Sequence, residues 1–320
     1  MTPSVAVFNV REPGPLTTVQ DLGRYGYQRF GVPPSGALDT RAAVLANLLV
    51  GNPDGAAVLE MTYYGATLEI LSSCTLALAG ATMDVTVNGA PISCWRSFSV
   101  SAGDVVAIGM ATSGCRGYLA LGGGIDVPEV MGSRSCYVGG KFGGHKGRAL
   151  AHGDVIYGVS PGAGSPPKSI PESFRPVYAS SIELRAVAGP QDDFFDEGLA
   201  LFFSREFTIT QQANRMGYRL EGPKVLRKEG MPKSIISEPS LPGGVQVPEG
   251  GDPIILLREQ TVGGYAKIAS VISDDISRVA QALPGQTIRF QRVSVAAAHQ
   301  ITVEHHQRLL TLKDMDLALA

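Results

Sequence analysis

One line of this sequence occurs twice. TTVQDLGRYGY, Thr17–Tyr27, returns as TITQQANRMGY, Thr208–Tyr218. Aligned, Thr17 meets Thr208, Gln20 meets Gln211 and Arg24 meets Arg215; Gly26 and Tyr27 meet Gly217 and Tyr218, all at one interval of 191 positions. A merely flexible loop has no reason to repeat Gln, Arg, Gly and Tyr in register. The surroundings repeat as well. Each half opens on a β segment and a Gly-Pro turn, VFNVREPGP and IELRAVAGP. After the repeated line each has a Pro-Gly turn, VPPSGALD and LPGGVQVP. This pattern constrains the chain to two similar halves, and an ancient duplication is its simplest account.

The material of each half reads as β. ATLEIL, CTLALAG, MDVTVNG, DVVAIGM and GYLALGGG are short segments of alternating or β-branched character, separated by Gly, Asn and Asp. SIELRAVAGP, PIILLR, YAKIASVI and QTIRFQRVSV continue the pattern later. The 39 glycines and 21 prolines supply the many turns that such strands need. The expectation is a mainly β protein with a few helices, built as two similar β-barrel domains. With 320 residues the chain exceeds one ordinary core, since domains cluster at roughly 100–150 residues. The predicted division is an N-terminal domain over 1–160, a connection rich in Pro, Gly and Ser over 161–181, a C-terminal domain over 182–298 and a tail over 299–320. LDTRAAVLANLLVGN predicts a helix with Leu38, Leu45 and Leu49 on one face, Asp39 as N-cap and Gly51 at its C-terminal end. DDFFDEGLALFF and the tail HHQRLLTLKDMDLALA are further helix candidates.

Composition excludes several classes of function. Net charge is −2, so no basic field invites nucleic acid or an anionic membrane surface. No apolar run approaches the roughly 18 residues of a membrane span. The opening MTPSVAVFNVREPG shows no basic region followed by an apolar one, and a cytoplasmic location is expected. Cysteines fall at 74, 94, 115 and 136, none in a CxxC pair or at zinc-ligand spacing from a histidine, so free thiols on β segments are expected and no metal. GxxxxGK[ST], GxSxG, HExxH and a biotin-acceptor lysine context are all absent. ATP or biotin would have to arrive from solution or on another chain.

The residues that could carry chemistry lie in four places. In the repeated lines, Gln20, Arg24, Gln211 and Arg215 either line equivalent clefts or tie down their own loops. Arginine is a fork of donors for carboxylate, and glutamine can both donate to and accept from an amide edge. In the first turn and helix, Asp39 is a cap or a proton-transfer group. Asn47 lies off the leucine stripe, facing a cleft or solvent. Glu60 follows an apolar strand and would need a partner if buried. The glycine-dense run Gly132–Asp154 carries Arg134, Lys141, His145, Lys146 and Arg148 and reads as an ordered loop at a rim. Finally, Gln246, Gln260 and Tyr265 sit among open glycine turns on an apolar frame, as binding-pocket groups do.

Taken together, GPLTTVQDLGRYGYQRFGVPPSGALD, ANLLVGN, LGGGIDVPEVMGSRS, GGHKGRALAHGD, NRMGYRLEGP and GGVQVPEGGDPI with GGYAKIASV resemble the allophanate hydrolase subunit 2, or KipA-type, family. That family includes the C component of bacterial ATP-dependent 5-oxoprolinase and half of the carboxyltransferase domain of urea carboxylase. The resemblance spans roughly residues 5–295. It implies two cyclophilin-like barrels and a partner of the KipI type, also called allophanate hydrolase subunit 1, which is the B component of an oxoprolinase. For an oxoprolinase it also implies a third chain of the LamB/YcsF type, the A component, and ATP with magnesium used by the complex. Under the oxoprolinase reading, Arg24 or Arg215 would clamp the substrate carboxylate, Gln246 and Tyr265 would orient the lactam, and Asp39 or Glu60 would transfer protons. One alternative is a biotin-dependent carboxyltransferase for urea or another small amide, with biotin on a separate chain. Another is a regulatory protein that neutralises a KipI-type kinase inhibitor. Two stretches depart from the family pattern: REQTVGGY, Arg258–Tyr265, stands where the family commonly has Asp-Arg-Gln-Thr-Thr-Gly-Gly-Tyr, and SRSC, Ser133–Cys136, stands for Ser-Arg-Ser-Thr.

Overall fold

The computed structural model describes residues 4–159 and 166–318. The chain divides into two compact units. The first takes in Ser35–Val177, the residues up to Arg24 and those from Leu312 on; the second comprises Tyr25–Pro34 and Tyr178–Thr311.

The first unit is a ten-stranded, barrel-like sheet. Its strands are β1 (Ser4–Glu12), β2 (Thr17–Gln20), β3 (Val58–Thr62), β4 (Thr67–Ile70), β5 (Cys74–Val87), β6 (Ala90–Ile92), β7 (Arg96–Val100), β8 (Val105–Leu121), β9 (Ile125–Asp126) and β10 (Val155–Val159). The main path runs β2-β3-β8-β4-β1-β10-β9, and β5 pairs with β6, β7 and β8. CTLALAG and MDVTVNG, read separately in sequence, are one 14-residue strand; DVVAIGM and GYLALGGG are one of 17 residues. The pairing of β5 with β8 shifts register three times between Gly80 and Val85, so the long ribbon bends where the sequence shows glycine and polar residues. Val7, Leu59, Leu68, Leu78, Val106 and Leu119 belong to one buried apolar cluster inside it.

Helix α1 (Thr40–Leu49) lies within this unit, with Leu45 and Leu49 buried. Asp39 caps it, its Oδ1 accepting from Ala42 N at 3.0 Å. Gly51, at φ +75°, donates its N–H to Leu48 O at 3.2 Å as the helix ends. Residues 160–165 of the expected connection lie outside the described residues. Further on, Ile170 is fully buried and donates to Trp95 O at 3.0 Å, while Lys168 O accepts from Ser97 N at 2.8 Å. This part of the connection is therefore pinned to the sheet.

The second unit is a closed barrel. It contains β11 (Ser181–Ala188), β12 (Glu206–Ala213), β13 (Gly217–Glu221), β14 (Glu238–Pro239), β15 (Gly244–Val247), β16 (Ile254–Leu256), β17 (Val262–Gly263), β18 (Ala266–Val271) and β19 (Thr287–Arg292). The barrel order is β11-β18-β15-β16-β13-β12-β19, and β14 and β17 form a separate two-stranded ribbon. Helix α2 (Asp196–Ser204) buries Phe202, which stacks on Phe290 of β19 at 4.2 Å between ring centroids. Helix α3 (Ser273–Ala280) was not evident in the sequence; it is short, and Asp275, in its first turn, binds Arg185 of β11 at 2.6 Å. Helix α4 (Val295–Asp314) begins before the expected tail. The architecture is mainly β, with four α-helices and two barrel-like sheets among the described residues.

Candidate functional site

In the first unit the repeated line, up to Arg24, is frame. Gln20, at the end of β2, is fully buried. Its Nε2 donates to Thr18 Oγ1 at 2.9 Å and Cys136 O at 3.2 Å, and its Oε1 accepts from Gly36 N at 3.1 Å. Gly36, at φ +85°, is required there, because a Cβ would lie 2.7 Å from Gly23 N. Arg24 is buried, lies over the Phe142 ring at 4.9 Å and donates to Ser135 O. Asp21, which no motif in the sequence singles out, fastens the Ser-Arg-Ser loop. It accepts from Ser133 Oγ at 2.7 Å, from Arg134 N at 2.6 Å and from Ser135 Oγ.

Asp39, through its backbone N–H, and Glu60, through its carboxylate, meet at one tyrosine. Glu60 lies opposite Tyr118 in the β3–β8 pairing. Tyr118 Oη donates to Glu60 Oε2 at 2.9 Å and accepts from Asp39 N at 2.8 Å, while Leu38 N donates to the same Glu60 oxygen at 2.8 Å. Burial, then the fields of Glu60 and Asp39, push the Tyr118 hydroxyl well above its ordinary pKa. Glu60 thus finds partners in this tyrosine and a backbone N–H, and the chain of bonds fixes the start of α1. Asn47, expected to face a cleft or solvent, is instead buried. Its Nδ2 donates to Ala56 O at 2.8 Å and Asp54 O at 3.3 Å, and its Oδ1 accepts from Asn52 at 3.0 Å. The amide closes the turn after the helix, where several backbone carbonyls would otherwise lack donors.

The glycine-dense run is ordered around Asp154. Arg148 Nη1 and Nη2 meet its two oxygens at 2.6 and 2.8 Å, Ala151 N donates at 2.8 Å and Lys146 Nζ at 3.1 Å. Arg148 foremost holds this carboxyl far below the usual carboxylate range. Burial pushes the Cys74 thiol up to about 12 and raises those of Cys94 and Cys115 as well, away from the nucleophilic thiolate form. Among the described residues no group of three or more His, Cys, Asp or Glu is placed to hold a metal ion.

In the second unit the same line behaves differently. Gln211 is exposed. Arg215 is buried and pairs with Glu259, Nε to Oε1 at 2.6 Å. Arg258 donates to Tyr25 Oη at 3.1 Å. The altered Arg258-Glu259 dipeptide is therefore engaged through both of its side chains. Tyr218 is buried and donates to Ala282 O at 3.3 Å, as a barrel plug. Gln260 folds back on its own turn, donating to Val262 O at 2.7 Å, and Tyr265 is 43% exposed. Gln246 differs from all of these. It is 3% exposed, and its Nε2 has no hydrogen-bond partner among the described residues. Beside it lies Lys267, buried and held by Glu238, a pair that residue type alone does not mark. A lysine between Ala266 and Ile268 on a strand was the available signal.

The comparisons agree with this architecture. Residues 30–292 match the family model described as "Carboxyltransferase domain, subdomain A and B". The C component of the 5-oxoprolinase of Escherichia coli is 38% identical over 89% of this chain and 91% of its own length. The urea amidolyase of Lachancea kluyveri is 35% identical over 96% of this chain, which spans only 18% of that protein. The crystal structure of the K. lactis urea amidolyase superposes on all of this chain and 20% of its own with a TM-score of 0.90 at 32% identity. No helix among the described residues is long and apolar enough to cross a membrane. The chain belongs to the carboxyltransferase domain, subdomain A and B, family.

Proposed function

We propose that this chain is the C component of an ATP-dependent 5-oxoprolinase-like complex in the cytoplasm, acting with a KipI-type partner and a third chain of the LamB/YcsF type. The observation that carries the reading is the 38% identity to the C component of a 5-oxoprolinase along 89% of this chain and 91% of that one. The reaction opens a lactam: water oxygen adds to the ring carbonyl carbon, the C–N bond breaks, and the nitrogen takes a proton to become the amino group of glutamate. ATP bound by the complex would supply the driving force.

The role of this chain is to bind and orient. Gln246 presents a buried amide N–H₂ with no acceptor among the described residues, suited to the lactam oxygen. Tyr265, 43% exposed, immediately precedes β18, the strand that pairs with β15 at Gln246, and offers a hydroxyl as a second donor. Asp39 and Glu60 are occupied in holding α1, which argues for proton transfer by another chain of the complex. A second reading, the carboxyltransferase part of a biotin-dependent carboxylase, is favoured by the family's own description and by the fold shared with the K. lactis urea amidolyase. Gentle purification of the tagged chain separates the two. An unbiotinylated partner with 5-oxoproline-dependent ATP hydrolysis supports the first reading; a biotinylated partner, with no such hydrolysis, overturns it in favour of the second.

A further inference from the structure

Strands β15 and β18 are neighbours in the second barrel, and their side chains alternate between the core and the outer face. Val245, Val247, Ala266 and Ile268 are fully buried in the core. Gln246 and Lys267 face each other in register between them, so both belong to the outer face. Both are nonetheless buried, at 3% and 8% exposure. The β14–β17 ribbon accounts for this. Gly263 of β17 lies so close that a Cβ there would stand 2.3 Å from Gln246 Nε2. Glu238 of β14, opposite Gly263, carries its carboxylate to Lys267 Nζ. Ser240 follows two residues on, which puts its side chain on the Glu238 side of the ribbon. It is 1% exposed, and its Oγ, like Gln246 Nε2, has no hydrogen-bond partner among the described residues.

Gln246 and Ser240 thus carry two buried polar atoms without partners among the described residues, Gln246 in register with the buried ammonium and Ser240 next to the strand that supplies its carboxylate, and each is costly unless something completes it. The carboxylate on that ammonium belongs to a side chain 44% exposed, on a strand of two residues. We propose that this is a binding site for a small carboxylic acid bearing a neighbouring carbonyl. Lys267 Nζ is the counter-charge, and Glu238 is an internal stand-in that the ligand's carboxylate displaces. Gln246 Nε2 and Ser240 Oγ donate to the ligand's carbonyl. The inference deepens the proposed function and rests on it only for the identity of the ligand: 5-oxoproline has a carboxylate beside its lactam, and urea has none. It assigns the carboxylate to Lys267, in place of Arg24 and Arg215, which hold Ser135 O and Glu259.

The test is calorimetric titration of the full chain, alone and in its purified complex, with 5-oxoproline, acetate, 2-pyrrolidinone and urea. Wild type should bind 5-oxoproline saturably and 2-pyrrolidinone, which lacks the carboxylate, about tenfold more weakly. Lys267→Met should weaken 5-oxoproline binding by about tenfold or more. Glu238→Gln should tighten it several-fold, because the internal competitor loses its charge. A purely structural ion pair would give no tightening, so this variant decides the matter even if Lys267→Met fails to fold. The proposal is overturned if Glu238→Gln binds no tighter, if folded Lys267→Met binds like wild type, or if wild type binds none of the carboxylates. Carboxylate binding with these variant effects, in a complex that hydrolyses no ATP with 5-oxoproline, would keep the site and remove the oxoprolinase reading. Oxoproline-driven hydrolysis indifferent to both variants would do the reverse.

Discussion

Gln20 and Gln211 occupy the same place in the repeated line and have opposite surroundings. Gln20 is fully buried and bonded at both ends of its amide; Gln211 is exposed. The arginines diverge as well. Arg24 gives a donor to a backbone carbonyl and lies over an aromatic ring, whereas Arg215 neutralises a buried glutamate. A repeated string therefore does not mean a repeated task. In the first unit the string became the fastening of a loop and a helix start. In the second, Arg215 and Glu259 fasten the line, and Gln246 and Ser240, elsewhere in the unit, carry buried polar atoms without partners among the described residues.

The sharpest way to break this comparison is at the arginine of the second unit. Arg215→Met leaves Glu259 buried and uncompensated, and should cost about 3–5 kcal/mol in urea denaturation. Adding Glu259→Leu should recover most of that loss, because the charge left unpaired is removed as well. The glutamines come next. Gln20→Leu removes donors and an acceptor from a fully buried backbone turn and should cost about 1–3 kcal/mol. Acid sharpens the first unit further. Asp154 has its pKa lowered on folding, chiefly by Arg148, so its stabilisation is complete above the unfolded value of roughly 3.9 and is lost as pH falls below it toward the folded value. Asp154→Asn should cost about 1–2 kcal/mol at neutral pH, since its partners are partly solvated, and should flatten the decline of the first unit's stability below about pH 4. The smallest effect belongs to Gln211→Leu, which should stay within about 0.5 kcal/mol of wild type.

Much of the architecture was legible. Alternating segments cut by Gly and Asn marked the strands, and Asp39 and Gly51 marked the ends of α1 through local chemistry alone. What stayed hidden depends on pairing across the sheet. Long strands were read as two because their bulges show the same residues as turns, as at Gly80 to Val85. Asp21 is an unremarkable acid until the Ser-Arg-Ser loop, more than a hundred positions later, is folded onto it. The candidate site divided along the same line. Residue type suggested Asp39, Glu60, Asn47 and Gln20, yet an amide or carboxylate that can read a substrate can equally satisfy a backbone turn. Only the fold distinguishes these uses, by showing Asn47 and Gln20 bonded to carbonyls and Gln246 Nε2 without an acceptor. Lys267 was hidden because a lysine inside a strand reads as a solvated outer face until the β14–β17 ribbon covers it.

Under the proposed function, substrate is read in the second unit at Gln246, and the repeated glutamines do not read it. The most direct measurement is 5-oxoproline-dependent ATP hydrolysis by the purified complex carrying Gln246→Leu or Gln211→Leu, each with its thermal melt. The expected result is a fall in kcat/KM of about tenfold or more in the first, with the melt preserved, and no change in the second. Wild-type turnover by the Gln246→Leu complex, or its loss in the Gln211→Leu complex, would contradict it.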